Sequence, residues 1–301
     1  MTASAKSSAW MGYVAAILQA VFYSTMGIFG KVLNGTGMDA QSVVLLRFSC
    51  TTVILGVFML IWRKQPLVSR QPSVYLQAVF FFISSTVYFF AVERLTAGMT
   101  TVIFYMYPVA VAVISLFAFK ERLSASTLVA LVLSIAGLIF VSGVLGGDIV
   151  LDPLGIFLAI ISCLAFAIYT VLIQKTGRTE GSFTVTFTLS WTSLLVSCVI
   201  FAPSVPGMFA IGLEQVGIGC LMALINTILP IVLYIAAVKH IGGTKASLLG
   251  ISETPFSLVL AYLILGEQLT VLQGVGAALI MVGIVIITVA PLVRLRHKPP
   301  N

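Results

Sequence analysis

Residues 246–265 read ASLLGISETPFSLVLAYLIL, an apolar run of 20 residues in which Glu253 is the only charged side chain. A helix of about 20 residues crosses the roughly 30 Å hydrocarbon core of a bilayer. The whole chain has the same character: of its 301 residues 60% are hydrophobic and 8% are charged, with a mean hydropathy of +1.15. Soluble domains carry about 25% charged residues. The sequence therefore predicts an all-α integral membrane protein.

Apolar runs of similar length recur along the chain and predict ten transmembrane helices. They lie near residues 10–33, 41–62, 73–93, 97–119, 125–145, 153–175, 183–203, 215–238, 244–265 and 271–293. The tails and loops between them are too short to hold a separate domain. We therefore expect the activity of the protein to lie within the lipid bilayer.

The distribution of lysine and arginine predicts the orientation of the chain. With an even number of spans, both termini lie on one side of the membrane. The segments on that side hold 13 lysines and arginines, whereas the loops on the other side hold Arg94 alone. Positive residues concentrate in cytoplasmic loops. We expect a multi-pass protein of a cell (inner) membrane with both termini cytoplasmic, whose net charge of +7 reflects topology and indicates no nucleic-acid partner.

The second half of the chain repeats the first. A constant shift of 146 residues places residues 234–289 on residues 88–143. The match includes ERLS at 121–124 and EQLT at 267–270. This similarity indicates two copies of one structural unit.

The repeat divides the chain into two units of five spans each, residues 1–148 and 149–301. Because five is an odd number, the two units would enter the membrane in opposite directions. Inverted repeats of this kind are typical of secondary transporters, whose binding site lies near the midplane between the repeats. The pattern favours a carrier around a central cavity.

Three segments of the sequence resemble a known family: VVLLRFSCTTVIL (43–55), YMYPVAVAVISLFAFKERLS (105–124) and ETPFSLVLAYLILGEQLTVLQGVGAALIMVGIVI (253–286). The resemblance is to the EamA-like ten-helix branch of the drug/metabolite transporter superfamily, and it covers nearly the whole chain. It implies ten helices around a central cavity, alternating access, and transport of small metabolites, often outward. Members of the family carry amino acids, other amines, nucleotide-like metabolites and vitamins.

Glu253 is the only acidic residue deep within a predicted span. A central acidic residue costs about 2.5–3.5 kcal/mol on insertion scales, and ionisable residues within membranes are functional by default. An apolar setting favours the protonated carboxyl, which can carry a proton or meet a substrate amine. A structural alternative is a glutamic acid hydrogen-bonded near the backbone that Pro255 frees. Both interpretations remain open at this stage.

Polar and aromatic residues recur at helical spacing on single faces of several spans. Gln19 and Tyr23, for example, are four residues apart in the first span and share one face. An aromatic cavity with a few hydrogen-bonding groups is the usual composition of a small-molecule site. We expect a substrate cavity lined by Gln19, Tyr23, Tyr88, Tyr105, Phe166, Tyr169, Asn226, Tyr234 and Glu253. For any single tyrosine, packing between helices is the alternative.

Four residues near helix boundaries receive structural interpretations. Glu121 and Glu267 lie just before Ser124 and Thr270, which are expected to be N-caps. Acidic charge near a helix start is electrostatically favourable. We therefore expect capping and packing roles for both glutamates.

Arg47 and the glycine-rich last span also favour structural interpretations. Arg47 lies about six residues inside its span, where a long side chain can reach outward or pair with Asp39. Gly274 and Ala278 have the spacing that lets two membrane helices approach closely.

The sequence offers little support for an enzyme. Its two histidines, His240 and His297, lie at a helix end and in a tail, and it has no phosphate-binding glycine loop. The four cysteines fall within spans as small core residues, so we expect no metal site, no cofactor and no catalytic residue. The alternatives to a metabolite exporter are a proton-coupled multidrug or cation exporter, a channel, and a membrane sensor. Monomer and homodimer both remain open.

Overall fold

The structure is a computed structural model that describes residues 3–63, 66–95, 97–121, 123–144, 152–176, 179–266 and 268–296. Within these ranges all regular secondary structure is helical. The α-helices are α1 (Ala3–Tyr23), α2 (Met26–Gly35), α3 (Ala40–Phe58), α4 (Pro72–Val92), α5 (Ala97–Phe104), α6 (Tyr107–Ala118), α7 (Ala125–Val141), α8 (Pro153–Thr176), α9 (Ser182–Ile200), α10 (Leu213–Ala223), α11 (Leu229–Ile241), α12 (Gly243–Gly250), α13 (Glu253–Leu265) and α14 (Val271–Arg296). A π-helical segment, Met59–Arg63, extends α3, and another, Leu224–Ile228, joins α10 to α11.

The apolar runs predicted from the sequence form these helices. Among the described residues, nine helical stretches are long and apolar enough to cross a membrane. They are Ala9–Gly30, Gln41–Trp62, Pro72–Val92, Gly98–Ala118, Pro153–Thr176, Ser182–Ile200, Leu213–Ile241, Gly243–Ile264 and Val271–Val289. The predicted span at 125–145 corresponds to α7, which is apolar but only 17 residues long. The protein is a multi-pass membrane protein.

The beginning of α1 lies at one end of the bundle, which we call the proximal end. There α1 packs on the end of α11, since a Cβ atom at Gly12 would lie 2.7 Å from the Cβ of His240. The neighbouring Lys239 donates a hydrogen bond of 2.5 Å from Nζ to the carbonyl oxygen of Glu180, which precedes α9. The starts of α1 and α9 and the end of α11 therefore share the proximal end.

The opposite end of the bundle, the distal end, gathers the other helix termini. Arg94, after α4, forms an ion pair of 3.3 Å with Asp152, before α8. Ser204, after α9, donates a hydrogen bond of 2.9 Å to Gln41 in the first turn of α3. Loops of both sequence repeats thus meet at this end.

Three predicted spans consist of two helices each. The break between α1 and α2 lies at Ser24–Thr25, that between α5 and α6 at Tyr105–Met106, and that between α12 and α13 at Ile251–Ser252. The last two breaks are 146 residues apart, because 251 − 105 = 146, which is the shift that aligns the two repeats. The repeated sequence therefore folds with the same interruption in both copies.

The expected helix caps at Ser124 and Thr270 are confirmed. Ser124 Oγ accepts a hydrogen bond of 3.2 Å from the backbone N–H of Thr127. Thr270 Oγ1 likewise accepts from the N–H of Gln273 at 3.2 Å. Glu267 lies outside the described residues.

Close packing between α7 and α14 uses different small residues from those predicted. A Cβ atom at Gly137 would lie 2.5 Å from the carbonyl oxygen of Gly276, so the two backbones touch. Gly274 and Ala278, whose spacing indicated close helix packing, do not take part in this contact, because both are exposed and Gly274 has no atom within 4 Å of its Cβ position. On α14 the contact is made by Gly276, two residues after Gly274.

Candidate functional site

The interrupted spans lie side by side and are held together by side-chain hydrogen bonds. Asn226, in the π-helical segment, donates from Nδ2 to the carbonyl oxygen of Phe22 at 2.8 Å and to Thr25 Oγ1 at 2.7 Å. Tyr107, at the start of α6, donates from its hydroxyl to the carbonyl oxygen of Ser247 in α12 at 3.1 Å. Backbone groups freed by helix breaks within a membrane need partners of this kind. The breaks therefore form one polar region inside the bundle.

Glu253 is the first residue of α13 and lies in this polar region. The hydroxyl of Tyr105 lies close enough to its carboxyl group to interact with it. Tyr23, Tyr88 and Tyr107 are also close enough to interact electrostatically with it. The start of a helix favours a negative charge. The sequence-predicted residues Tyr23, Tyr88, Tyr105 and Glu253 thus come together.

Aromatic rings from α4, α5, α8 and α11 form a continuous cluster beside Glu253. Phe104 contacts Tyr88, with ring centroids 5.2 Å apart, and Phe166, at 5.5 Å. Phe166 in turn contacts Tyr169 at 5.4 Å and Tyr234 at 5.8 Å. Four of these five residues were predicted from the sequence, and Phe104 was not.

The predicted site residues differ in exposure. Four are partly exposed and therefore border space that a water-sized probe can reach: Tyr23, Tyr88, Phe166 and Glu253. Tyr169 and Tyr234 are only 1% and 2% exposed. In this conformation these two rings pack behind Phe166, as the packing alternative for single tyrosines allows.

The proximal side of the site is closely packed. A Cβ atom at Gly250 would lie 2.7 Å from the hydroxyl oxygen of Tyr107 and 3.8 Å from Gln19 Oε1. Gln19 is 4% exposed, and its Oε1 atom is buried without a hydrogen-bond partner among the described residues. Seven of the eight residues of α12 (Gly243–Gly250) are buried. No gap therefore separates the site residues from α12.

Glu121 strengthens this closure by linking three segments at the proximal end. Its Oε1 atom accepts a hydrogen bond of 2.7 Å from Gln174 Nε2 in α8. Gln174 Oε1 accepts a hydrogen bond of 2.6 Å from the N–H of Gly243 at the start of α12. Glu121 therefore has the packing role expected of it, but its partners come from the second repeat.

Arg47 points into the bundle, so the prediction that it reaches outward or pairs with Asp39 is wrong. Its side chain is 4% exposed. Arg47 Nε donates to Thr227 Oγ1 at 2.7 Å, and Nη2 donates to the carbonyl oxygen of Asn226 at 3.3 Å. Asp39 instead caps α3, accepting from the N–H of Ser42 at 2.9 Å. The prediction considered only depth along α3, whereas the partners of Arg47 belong to another span.

Sequence reasoning also missed Tyr107, for which a signal was present. The shift of 146 residues places Glu253 on Tyr107, and both residues begin the second helix of a broken span. Nothing comparable in the sequence pointed to Phe104.

Two distinct hollows lie away from these residues. One, of about 360 Å³, lies at the distal end between Gly37–Ser42 and the segment from Pro203 to Gln215. The other, of about 440 Å³, is apolar and lies between α5, α6 and α8. None of the nine predicted site residues lines either one. Within the described ranges, no three His, Cys, Asp or Glu side chains are grouped as metal ligands would be.

Comparison with known proteins identifies the family. The model of the EamA-like transporter family matches residues 10–143 and, a second time, residues 153–289. The chain belongs to the EamA-like transporter family. It is therefore a transporter of the drug/metabolite transporter superfamily with two EamA repeats, as the sequence motifs predicted. Transporters of this family are in general not enzymes.

Relatives of this transporter span nearly its whole length. An uncharacterized transporter of Clostridium kluyveri is 26% identical over 291 residues, covering 91% of this chain and 92% of the relative. An uncharacterized transporter of Archaeoglobus fulgidus is 28% identical over 283 residues, covering 91% and 95%. A protein of known crystal structure has 18% identity and a TM-score of 0.79 over 97% of this chain and 99% of its own. At that identity, the likeness shows a shared fold alone.

Proposed function

We propose that this EamA transporter is a secondary active exporter that moves small metabolites, such as amino acids or related amines, across the cytoplasmic membrane by alternating access. One observation carries the proposal. The spans broken at Tyr105–Met106 and at Ile251–Ser252 are equivalent in the two repeats, and they adjoin each other, since the hydroxyl of Tyr107 donates a hydrogen bond to the carbonyl oxygen of Ser247 in α12. Discontinuous helices at a repeat interface form the substrate and coupling-ion sites of many secondary transporters.

The proposed architecture has ten spans in two five-helix repeats of opposite orientation, residues 1–148 and 149–301, around a central cavity. Its support is the nine long apolar stretches with the shorter α7, and the gathering of helix ends into a proximal and a distal set. The lysine and arginine bias favours the proximal end as the cytoplasmic one, with both termini there.

The proposed mechanism is a rocking of the two halves around a site formed by Gln19, Tyr23, Tyr88, Tyr105, Phe166, Asn226 and Glu253. In this conformation the proximal side is closed by α12 and by the contacts of Glu121 with Gln174. On α13, Glu253, Ser257 and Ala261 share one face and are all partly exposed. The conformation therefore fits a state closed to the cytoplasm, and return to the other state requires the Glu121 contacts to separate.

Flux measurements distinguish a carrier from a channel or a sensor. Culture media of expressing and non-expressing cells are compared first to find a released compound. Its labelled form is then followed in liposomes containing the purified protein. A carrier shows saturating uptake and counterflow, whereas a channel shows non-saturating uptake without counterflow. Absence of both release and uptake would point to a membrane sensor and contradict the proposal.

A second candidate function is proton-coupled export of drugs or organic cations, and Glu253 is the observation that favours it. Among the described spans it is the only acidic residue near the midplane, and its neighbour Tyr105 is neutral. This candidate predicts resistance to organic cations that depends on an imposed pH gradient and is lost in Glu253→Gln. Export restricted to molecules without a positive charge would rule it out.

A further inference from the structure

Arg47 is a buried cation without a counter-ion. Its two hydrogen bonds go to neutral acceptors, Thr227 Oγ1 and the carbonyl oxygen of Asn226, and its guanidinium lies 5.5 Å from the ring centroid of Phe48. Among the described residues, no carboxylate lies within 4 Å of it. Buried charges in proteins are normally paired with an opposite charge. The described part of the protein therefore leaves the charge of Arg47 without an opposite charge.

The side chains of Arg47 and Asn226 leave hydrogen-bonding capacity unused. The third nitrogen of Arg47, Nη1, donates to no described residue. The nearby Asn226 Oδ1 is buried and accepts no hydrogen bond from a described residue. A molecule bound here would thus meet one charged donor and one neutral acceptor.

Tyr23 connects this position with the proposed substrate site. It is partly exposed and lies close enough to Arg47 and Glu253 to be influenced by both charges. Asn226, which is hydrogen-bonded to Arg47, also donates to the carbonyl oxygen of the adjacent Phe22. Arg47 lies in α3, Tyr23 at the end of α1 and Glu253 at the start of α13. The two opposite charges therefore approach the same aromatic side chain from different helices.

We propose that Arg47 Nη1 binds the carboxylate of the transported molecule, so that the substrate is a small carboxylic acid that also carries an N–H or O–H donor for Asn226 Oδ1. This inference rests on the proposed function and narrows its substrate class. A carboxylate fits better than a phosphate, because Arg47 supplies one positive charge, which a carboxylate balances, whereas a phosphate monoester carries a charge of about −1.5 to −2. The substrate then supplies the counter-ion that Arg47 lacks among the described residues.

Matched pairs of acids and amines test the assignment on the purified protein. The probes are L-phenylalanine with phenethylamine, L-leucine with isopentylamine, and L-lysine with cadaverine; each amine lacks only the carboxylate. Binding is measured as the rise in thermal midpoint with ligand concentration. We expect the wild type to bind at least one acid more tightly than its amine. Arg47→Gln should weaken acid binding by about tenfold or more, as for loss of a charge-assisted hydrogen bond, and leave amine binding unchanged.

Arg47→Lys is the matched control, because it keeps the charge while losing the planar guanidinium. We expect it to retain part of the acid binding, whereas a purely structural role would make both variants lose acid and amine binding together. The inference is overturned if the wild type binds no acid of the three pairs, or if Arg47→Gln binds the acids as the wild type does.

The same variant separates this inference from the proposed function in cells. If the wild type releases no compound, the proposed function itself fails. If it releases only compounds without a carboxylate, or if Arg47→Gln releases carboxylates normally at equal membrane abundance, export stands and the role of Arg47 is wrong.

Discussion

Tyr107 and Glu253 occupy equivalent positions in the two repeats, 146 residues apart, and each begins the second helix of a broken span. The hydroxyl of Tyr107 also donates a hydrogen bond of 3.1 Å to the carbonyl oxygen of Ser247 in α12, so the equivalent breaks lie close together. One repeat therefore contributes phenol hydroxyls, from Tyr105 and Tyr107, and the other contributes a carboxyl group. A pair of similar helices thus provides donors on one side of the site and an acid on the other.

The hydroxyl of Tyr105 is expected to matter for transport. Tyr105→Phe keeps the ring but removes the hydroxyl group that lies close to Glu253 and can donate a hydrogen bond to it. Hydrogen bonds to charged groups contribute about 1.5–3 kcal/mol, so we expect the export rate to fall by about tenfold or more at equal membrane abundance. Tyr262→Phe is the control, since Tyr262 lies on α13 but is 52% exposed on the outside of the bundle. Equal loss in both variants, or none in Tyr105→Phe, would argue against a role for this bond.

A cross-link between the two halves tests the rocking motion. Cys50 in α3 and Cys220 in α10 have sulfur atoms 3.6 Å apart. The two sulfur atoms of a disulfide are about 2.05 Å apart, so a small movement of the two side chains toward each other is enough to form the bond. We expect copper-phenanthroline to oxidise this pair and stop export, and a reductant to restore it. Cys220→Ala should be insensitive to the oxidant, whereas Cys163→Ala should behave as the wild type. Full export by quantitatively cross-linked protein would exclude relative motion of these helices.

Packing between α7 and α14 sets a limit on side-chain size at Gly137. Its Cβ position lies 2.5 Å from the carbonyl oxygen of Gly276, so Gly137→Val forces the helices apart. Overpacking typically costs about 1–3 kcal/mol, and we expect a clear fall in the thermal midpoint in detergent. Gly274→Val, on the open surface of α14, should change the free energy of unfolding by no more than about 0.5 kcal/mol, so its midpoint should stay close to that of the wild type. If Gly274→Val lowered the midpoint more than Gly137→Val does, the two helices would pack through the other face of α14.

Labelling in intact cells tests the orientation. Leu213 at the distal end is 92% exposed, and Arg70 before α4 is exposed at the proximal end. In a background with the four native cysteines replaced by alanine, Leu213→Cys should react with a membrane-impermeant maleimide from outside. Arg70→Cys should react only after permeabilisation. The opposite result would invert the proposed topology.

The positions of the membrane helices could be predicted from the sequence because hydrophobicity is a local property of each run. The breaks within spans could not, since a run such as 97–119 is equally apolar on both sides of Tyr105–Met106. Their positions depend on partners from distant segments, such as the hydrogen bond from Tyr107 to Ser247. Local composition thus predicts where the chain crosses, and tertiary contacts decide where it bends.

In the candidate site too, local sequence predicts some features and tertiary contacts decide others. Tyr88, Tyr105 and Glu253 were found because polar and aromatic groups in apolar runs are conspicuous. Arg47 was misplaced because its partner Thr227 is 180 residues away along the chain. Its inward direction therefore depends on tertiary structure that no local pattern records.

The most direct test of the account is a comparison of metabolites released by cells expressing the wild type with those released by cells expressing Glu253→Gln, at equal membrane abundance. Glutamine keeps the size of the side chain and removes its ability to ionise. If Glu253 belongs to the transport cycle, at least one compound accumulates in the medium with the wild type and stays at the level of non-expressing cells with the variant. If both proteins release the same compounds at the same rate, Glu253 is part of the scaffold and the site described around it is not the transport site.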